Sequence, residues 1–172
     1  YSGTAKGYYE SGKLQWEVEC KNDKWDGQRK EYYENGKVQG ESFFKDGEPD
    51  GFTRRYHKNG KLQSESFFRD GKQESARIYY ESGKLKQEDV LNADGTSGVR
   101  KVYYESGALM EESPLRDGKS EGLGKGYYEN GKLRAEYPFK DGEQDGLTRI
   151  YNERGWLEQE APYKKGKQEG LT

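Results

Sequence analysis

The chain has 172 residues, of which 29% are apolar and 36% are charged, and this composition excludes a large central core. Its 32 acidic and 30 basic residues are finely mixed, which excludes the basic stripe that binds nucleic acid and argues against a membrane-lipid partner. Composition alone would favour disorder, but 14% of the residues are aromatic, and 15 of these are tyrosines. The tyrosines recur at fixed offsets, which indicates a thin fold built from repeats.

The repeat is marked by a motif such as Tyr32-Tyr33-Glu34-Asn35-Gly36-Lys37-Val38, in which the glycine never changes. A fixed period of about 20–50 residues is typical of solenoids and other repeat arrays. We predict one repeat domain over residues 1–172, with repeats at 2–25, 26–49, 50–73, 74–96, 97–120, 121–144 and 145–168 and a partial eighth at 169–172. The fourth repeat is irregular, because it lacks the Asp-Gly pair that opens its neighbours. The repeat glycines are Gly12, Gly36, Gly60, Gly83, Gly107, Gly131 and Gly155.

Each repeat contains two short runs rich in tyrosine, phenylalanine, threonine and polar residues, and Asn-Gly or Asp-Gly pairs bound many of these runs. Runs of this kind are typical of β-strands, and Asn-Gly between them is a strong hairpin signal. The sequence therefore predicts an all-β fold: an elongated, single-layer antiparallel sheet of about seven tandem β-hairpin repeats, an open array similar to a β-solenoid, with about fourteen strands.

The turn at the repeat glycine can close in two ways. A two-residue type I′ turn needs a positive φ at both central residues, which suits Asn35 but not Ser82 or Arg154. A type I turn followed by a glycine bulge needs a positive φ only at the glycine, and we favour this turn, which sets Tyr56 opposite Leu62 on a buried face.

A charge pattern favours the other turn. A base lies six residues before each repeat glycine and a glutamate five residues after it, and the two-residue turn would set them directly opposite each other. The bulged turn would leave the glutamate to pair with another group, so the sequence leaves the register open. The bases are Lys6, Lys30, Arg54, Arg77, Lys101, Lys125 and Arg149, and the glutamates are Glu17, Glu41, Glu65, Glu88, Glu112, Glu136 and Glu160. We expect these charges to neutralise one another within the sheet.

The repeat resembles the MORN (membrane occupation and recognition nexus) repeat, in the variant found in arrays in bacterial proteins. Residues 26–47 and 145–166 follow its pattern of Asp-Gly, Tyr-Tyr-Glu-Asn-Gly-Lys-Leu, Glu, an aromatic residue and Lys-Asp-Gly almost throughout. The resemblance implies a bacterial β-hairpin array with a binding role, similar to an antitoxin of a toxin–antitoxin pair. The chain departs from the pattern at His57 and Asn152, which replace the second tyrosine, and at Cys20, which replaces an aromatic residue.

Two series of tyrosines are candidate functional residues. The first tyrosine of each repeat is expected to pack between hairpins: these are Tyr8, Tyr32, Tyr56, Tyr79, Tyr103, Tyr127 and Tyr151. The second tyrosines point to the other face if strand alternation holds, and they are the candidate partner-binding residues: Tyr9, Tyr33, Tyr80, Tyr104 and Tyr128.

The sequence predicts no enzyme, no metal and no cofactor. His57 is the only histidine and lacks a nucleophile in a recognisable setting, and one histidine with one cysteine cannot form a zinc site. Cys20 is expected to be a small buried filler.

We predict a non-catalytic interaction module that holds a protein partner or a second copy of itself, with no small-molecule substrate. The alternative is a cell-envelope binder of glycan or choline-like groups through repeated aromatic side chains. A trimmed, soluble chain from the bacterial cytoplasm or the envelope is compatible with either function, so the localisation stays open.

Overall fold

The computed structural model describes residues 1–92 and 95–170 of the protein. The residue inserted near Ala93 and the end of the predicted eighth repeat at Leu171 lie outside these residues. The described residues form seventeen strands: β1 (Gly3–Tyr8), β2 (Leu14–Lys21), β3 (Lys24–Tyr32), β4 (Val38–Lys45), β5 (Glu48–Tyr56), β6 (Leu62–Arg69), β7 (Lys72–Tyr79), β8 (Leu85–Leu91), β9 (Ser97–Tyr103), β10 (Leu109–Arg116), β11 (Lys119–Ser120), β12 (Gly122–Tyr127), β13 (Leu133–Lys140), β14 (Glu143–Gln144), β15 (Gly146–Tyr151), β16 (Leu157–Lys164) and β17 (Lys167–Gln168).

The strands divide between two compact units, Tyr1–Lys84 and Leu85–Thr172. In the first unit, β1 to β7 pair antiparallel in chain order. In the second unit, the long strands β8, β9, β10, β12, β13, β15 and β16 do the same. The prediction of an all-β fold made of antiparallel hairpin repeats is confirmed, while the assignment of all seven repeats to one domain stays a prediction.

The strand number exceeds the predicted fourteen because three repeats contain an additional two-residue strand, β11, β14 or β17. Each of these strands follows a long strand that carries a proline: Pro114, Pro138 or Pro162. Proline has no N–H to donate to the neighbouring strand, so the ladder of hydrogen bonds breaks beside it. In the second and third repeats Phe43 and Phe67 occupy this position, and β5 and β7 each continue as one strand past a register shift in their pairing.

The turn at the repeat glycine is the bulged turn. The carbonyl of Tyr33 accepts a hydrogen bond from the N–H of Gly36 at 2.8 Å, and the positive φ of +82° lies at Gly36 and not at Asn35. The other turn of the repeat is a two-residue loop, in which Asp46 and Gly47 have φ angles of 52° and 93°. This second loop therefore has the type I′ geometry that the sequence offered for the first one.

A second bulge, in the strand after the turn, makes the two predicted pairings compatible. Tyr56 pairs with Leu62 and Arg54 pairs with Glu65, because the register shifts by one residue between them. Our expectation that the bulged turn would separate each base from its glutamate was wrong: Gln63 is left unpaired between the two pairs, and this extra residue restores the register.

The best-buried side chains are small and lie on one face of the sheet. Val18 and Ala135 are each 1% exposed, and Ser113 is buried to the same extent. They alternate with the glutamates of the charge pattern, so they occupy the opposite face, which we call the small-residue face. The Tyr56–Leu62 pair, which we expected to be buried, is only half-buried, because a thin sheet fully covers only short side chains.

Aromatic rings from the same hairpin cover parts of the small-residue face. The indole of Trp16 lies over Gly7, the ring of Tyr137 over Gly126 and the ring of Phe139 over Gly124. A side chain at any of these glycines would collide with the ring above it. In these two hairpins the glycines therefore leave room for the hairpin's own aromatic rings to cover the face.

Candidate interaction surface

The predicted bases and glutamates form a continuous ladder in each unit. In the first unit each residue pairs directly with the next across neighbouring strands, in the order Lys6, Glu17, Lys30, Glu41, Arg54, Glu65, Arg77. In the second unit the order is Glu88, Lys101, Glu112, Lys125, Glu136, Arg149, Glu160. Because opposite charges alternate at every strand, the ladder fixes the register and leaves little net charge. We call the face that carries it the ladder face.

The first tyrosines join each repeat to the one before it. The hydroxyl of Tyr32 donates to Oε1 of Glu17 at 2.6 Å, and that of Tyr127 donates to Oε1 of Glu112 at 2.6 Å. Burial and the bond to Glu17 raise the pKa of Tyr32 to about 12, while the same bond lowers the pKa of Glu17. Equivalent bonds are made by Tyr56, Tyr103 and Tyr151. The predicted packing between hairpins thus has a hydrogen bond at its centre.

The second tyrosines also bond to a neighbouring repeat. The hydroxyl of Tyr9 donates to the backbone carbonyl of Tyr32 at 2.6 Å, and that of Tyr33 donates to the carbonyl of Tyr56 at 2.7 Å. Tyr104 and Tyr128 bond to the next repeat in the same way, and Tyr80, like them, is half-buried.

Strand alternation does not place these tyrosines, because each strand ends at the first tyrosine and the second one begins the turn. Their role in partner binding stays a prediction, and their rings rather than their bonded hydroxyls would make the contact. In the first unit, Tyr9 and Tyr33 line a cavity of about 580 Å³ together with Lys13, Gln39 and Lys58.

A row of apolar side chains, which the sequence reasoning missed, runs beside the ladder. It occupies two positions of the repeat: two residues beyond each ladder glutamate and two residues before each ladder base. Strand alternation places both positions on the ladder face. In the second unit we call it the apolar row: Val90, Val99, Pro114, Leu123, Pro138, Leu147 and Pro162. The signal was available in the sequence, because three prolines stand at the same offset from their glycines.

The first unit has a shorter and aromatic version of this row. Phe43 and Phe52 are each 38% exposed, and the rings of Phe52 and Phe67 are 4.9 Å apart. The guanidinium of Arg54 lies 4.6 Å from the centre of the Phe52 ring, and that of Arg69 lies 5.9 Å from the Phe67 ring. Cations therefore cover part of this row, whereas the second unit's row consists of aliphatic residues and prolines.

A second charged row runs along the side of the apolar row that faces away from the ladder, two residues further along each strand. Its cations in the second unit are exposed: Arg116, Lys140 and Lys164. The acids between them are occupied, since Glu121 accepts the backbone N–H of Asp141 at 2.7 Å and Asp145 accepts Nζ of Lys164 at 3.0 Å. The ladder face of this unit thus presents an apolar row between a balanced ladder and a predominantly basic edge.

The residues considered for catalysis are isolated from one another. Nε2 of His57 is buried and has no hydrogen-bond partner among the residues that the structure describes. Cys20 is half-buried rather than buried, and it pairs across strands with Trp25. Within residues 1–92 and 95–170, no three histidine, cysteine, aspartate or glutamate side chains come together as metal ligands would. The same residues contain no helix that is long and apolar enough to span a membrane.

Hairpins of one length, linked by repeated tyrosine bonds, define the chain as a β-hairpin repeat protein. A family model described as "MORN repeat variant" matches seven segments: residues 1–22, 25–46, 50–70, 75–90, 97–117, 120–141 and 144–165. The chain belongs to this family of MORN repeat variants. No curated protein matches it as a relative. MORN repeats are generally interaction modules for proteins or membranes, and the family is generally non-enzymatic. The family match does not support an antitoxin role.

Proposed function

We propose that the chain is a non-catalytic interaction module that binds a protein partner, or a second copy of itself, through its ladder face. The observation that carries the proposal is the concentration of exposed apolar side chains in one row: Leu123 is 46% exposed and Val99 40% exposed, on a face that is otherwise charged. Contiguous exposed apolar residues with a polar rim are typical of interaction sites. An antitoxin-like role would be one form of such a module, in which the bound protein is a toxin.

The partner contact is expected to gain from the regular spacing of the repeats. Neighbouring strands set the apolar residues about 4.8 Å apart, so contacts accumulate along the row without any change in the sheet. The ladder on one side alternates opposite charges, with Arg149 ion-paired to Glu136 and Glu160. Such exposed charges contribute solubility and exclude mismatched charges more than they add affinity. The candidate tyrosines, with Tyr33 and Tyr128 among them, would extend the contact towards the turns.

The experiment is site-specific photo-cross-linking in lysate of the source cells. Leu123 is replaced by p-benzoylphenylalanine, and the matched control carries the same residue at the exposed turn position Glu105. The proposal predicts one discrete protein adduct from position 123 and none from position 105. Light scattering on the purified chain distinguishes a partner protein from a second copy. If position 123 gives no adduct while cell-wall fragments quench the tyrosine fluorescence, the proposal is wrong and glycan binding replaces it.

A further inference from the structure

The apolar row of the second unit is rigid as well as exposed. Val90, at 52% exposure, pairs with Val99, and Leu147, at 38%, pairs with Pro162. Two of the row's proline rings lie over glycines of the following long strand: Pro138 over Gly146 and Pro114 over Gly122. Proline has almost no side-chain freedom to lose, and valine has little. A partner that lies on this row therefore meets a surface that costs little to order.

The direction of the row restricts the shape of its occupant. The row crosses seven neighbouring long strands at right angles to their backbones and is about 29 Å long at ~4.8 Å per strand. An extended peptide on it would find no strand edge with which to pair, so its own N–H and C=O groups would stay without partners. An α-helix satisfies its backbone internally and spans this length with about 20 residues. Its apolar stripe, with a residue every three or four positions, advances about 5 Å per contact and so matches the strand spacing.

The charge beside the row restricts the occupant further. Glu121 and Asp145, two acids of this edge, are bonded, and Glu143 pairs across strands with Lys140. Arg116 and Lys140 themselves are exposed and form no ion pair within the described residues. They lie on β10 and β13, two long strands apart, which corresponds to about 10 Å. Residues seven positions apart in a helix are separated by about 10.5 Å on the same side. Two acidic residues at that spacing would meet both cations at once.

We propose that the ladder face of the second unit docks an amphipathic α-helix of a protein partner, about 20 residues long and acidic along one flank. This inference rests on the proposed function and names the partner's chemistry. An anionic membrane fits the row less well, because the four ladder carboxylates Glu88, Glu112, Glu136 and Glu160 border its other side and would face the lipid phosphates. For an acidic helix, the same carboxylates lie on the side away from its acidic flank.

The test uses fluorescein-labelled model helices of about 20 residues with leucine at the apolar positions. One helix carries glutamate along one flank, a second carries lysine there, and a third has the first sequence with two central prolines. Fluorescence anisotropy with the full chain should show the glutamate helix binding at least about tenfold more tightly than the lysine helix at low salt. The proline-containing peptide should not bind.

Two variants locate the contact. The pair Arg116→Glu and Lys140→Glu should reverse the preference between the two helices, whereas the control pair Lys21→Glu and Lys45→Glu in the first unit should not. Leu123→Ser with Leu147→Ser should weaken binding by at least about tenfold, with circular dichroism confirming the fold.

The outcomes separate this inference from the proposed function. If no model helix binds, or the lysine helix binds equally well, the helix inference is wrong, and an adduct from position 123 would still uphold the protein-interaction proposal. Binding to phosphatidylserine vesicles that the Leu123→Ser and Leu147→Ser pair abolishes would replace the helix with a membrane. A helix contact unaffected by both variant pairs would also overturn the inference.

Discussion

Replacing Tyr32 with phenylalanine removes one hydroxyl and keeps the ring, so it isolates the bond between the first two repeats. This hydroxyl donates to Glu17 at 2.6 Å, and the bond lowers the pKa of Glu17. A hydrogen bond to a charged group contributes about 1.5–3 kcal/mol. Because Glu17 is half-buried, water replaces part of what the hydroxyl supplied, and we expect Tyr32→Phe to lower the free energy of unfolding by about 1–2 kcal/mol.

The chain contains a matched control at the same position of the first repeat. Tyr8 is 59% exposed, and its hydroxyl has no partner within the described part of the chain, so Tyr8→Phe should change the free energy of unfolding by less than about 0.5 kcal/mol. Urea unfolding followed by circular dichroism measures both variants. Equal losses for the two variants would refute the reasoning, because the effect would then belong to the tyrosine ring or its solvation and not to the bond with Glu17.

Three further predictions concern the turns, the histidine and alkaline pH. Gly36→Ala should lower the free energy of unfolding by about 1–2 kcal/mol, because φ is +82° there, and not because of a clash, since an added Cβ would have no atom within contact distance. Gly170→Ala, where an added Cβ is equally free of contacts, is the control in the same unfolding assay. His57 stands where other repeats have the second tyrosine, whose hydroxyl bonds to the next repeat. His57→Tyr should supply this bond and raise the melting temperature, and a lower melting temperature would contradict this. Burial raises the pKa of Tyr32 and of Tyr127 from 10.0 to about 12, so their stabilisation is complete below pH 10.0 and lost as the pH rises through about 12. Subtracting the tyrosinate absorbance of the Tyr32→Phe and Tyr127→Phe double variant isolates these two groups, and a difference signal that rises before unfolding would refute this.

The repeat and its secondary structure could be predicted from the sequence because both depend on local signals. The invariant glycine, with a polar residue such as Asn35 before it, specifies the turn, and Tyr56 and Leu62 at fixed distances from that turn specify the strands. Periodicity then extends one hairpin to seven. The ladder also follows from spacing alone, since a base such as Arg54 and a glutamate such as Glu65 keep the same offsets in every repeat.

The contacts between repeats were decided only by the tertiary structure. A bulge in the strand after the turn adds one residue between the Tyr56–Leu62 and Arg54–Glu65 pairs. No pattern of residue types in the sequence predicts this shift of one position. The bond from Tyr33 to the next repeat depends on how closely successive turns stack. The alternation of side chains along a strand cannot predict this contact, because the strand ends at Tyr32, one residue before Tyr33.

Exposure was likewise decided by the tertiary structure. The sequence directed attention to tyrosines because they are frequent, whereas the exposed row of the second unit consists of residues such as Leu123 and Val99, whose type usually indicates a core. Aromatic rings cover parts of the small-residue face around Val18 and Ala135. On the ladder face of the second unit, residues such as Leu123 and Leu147 stay exposed, and this is why they, more than the bonded tyrosines, mark the candidate site.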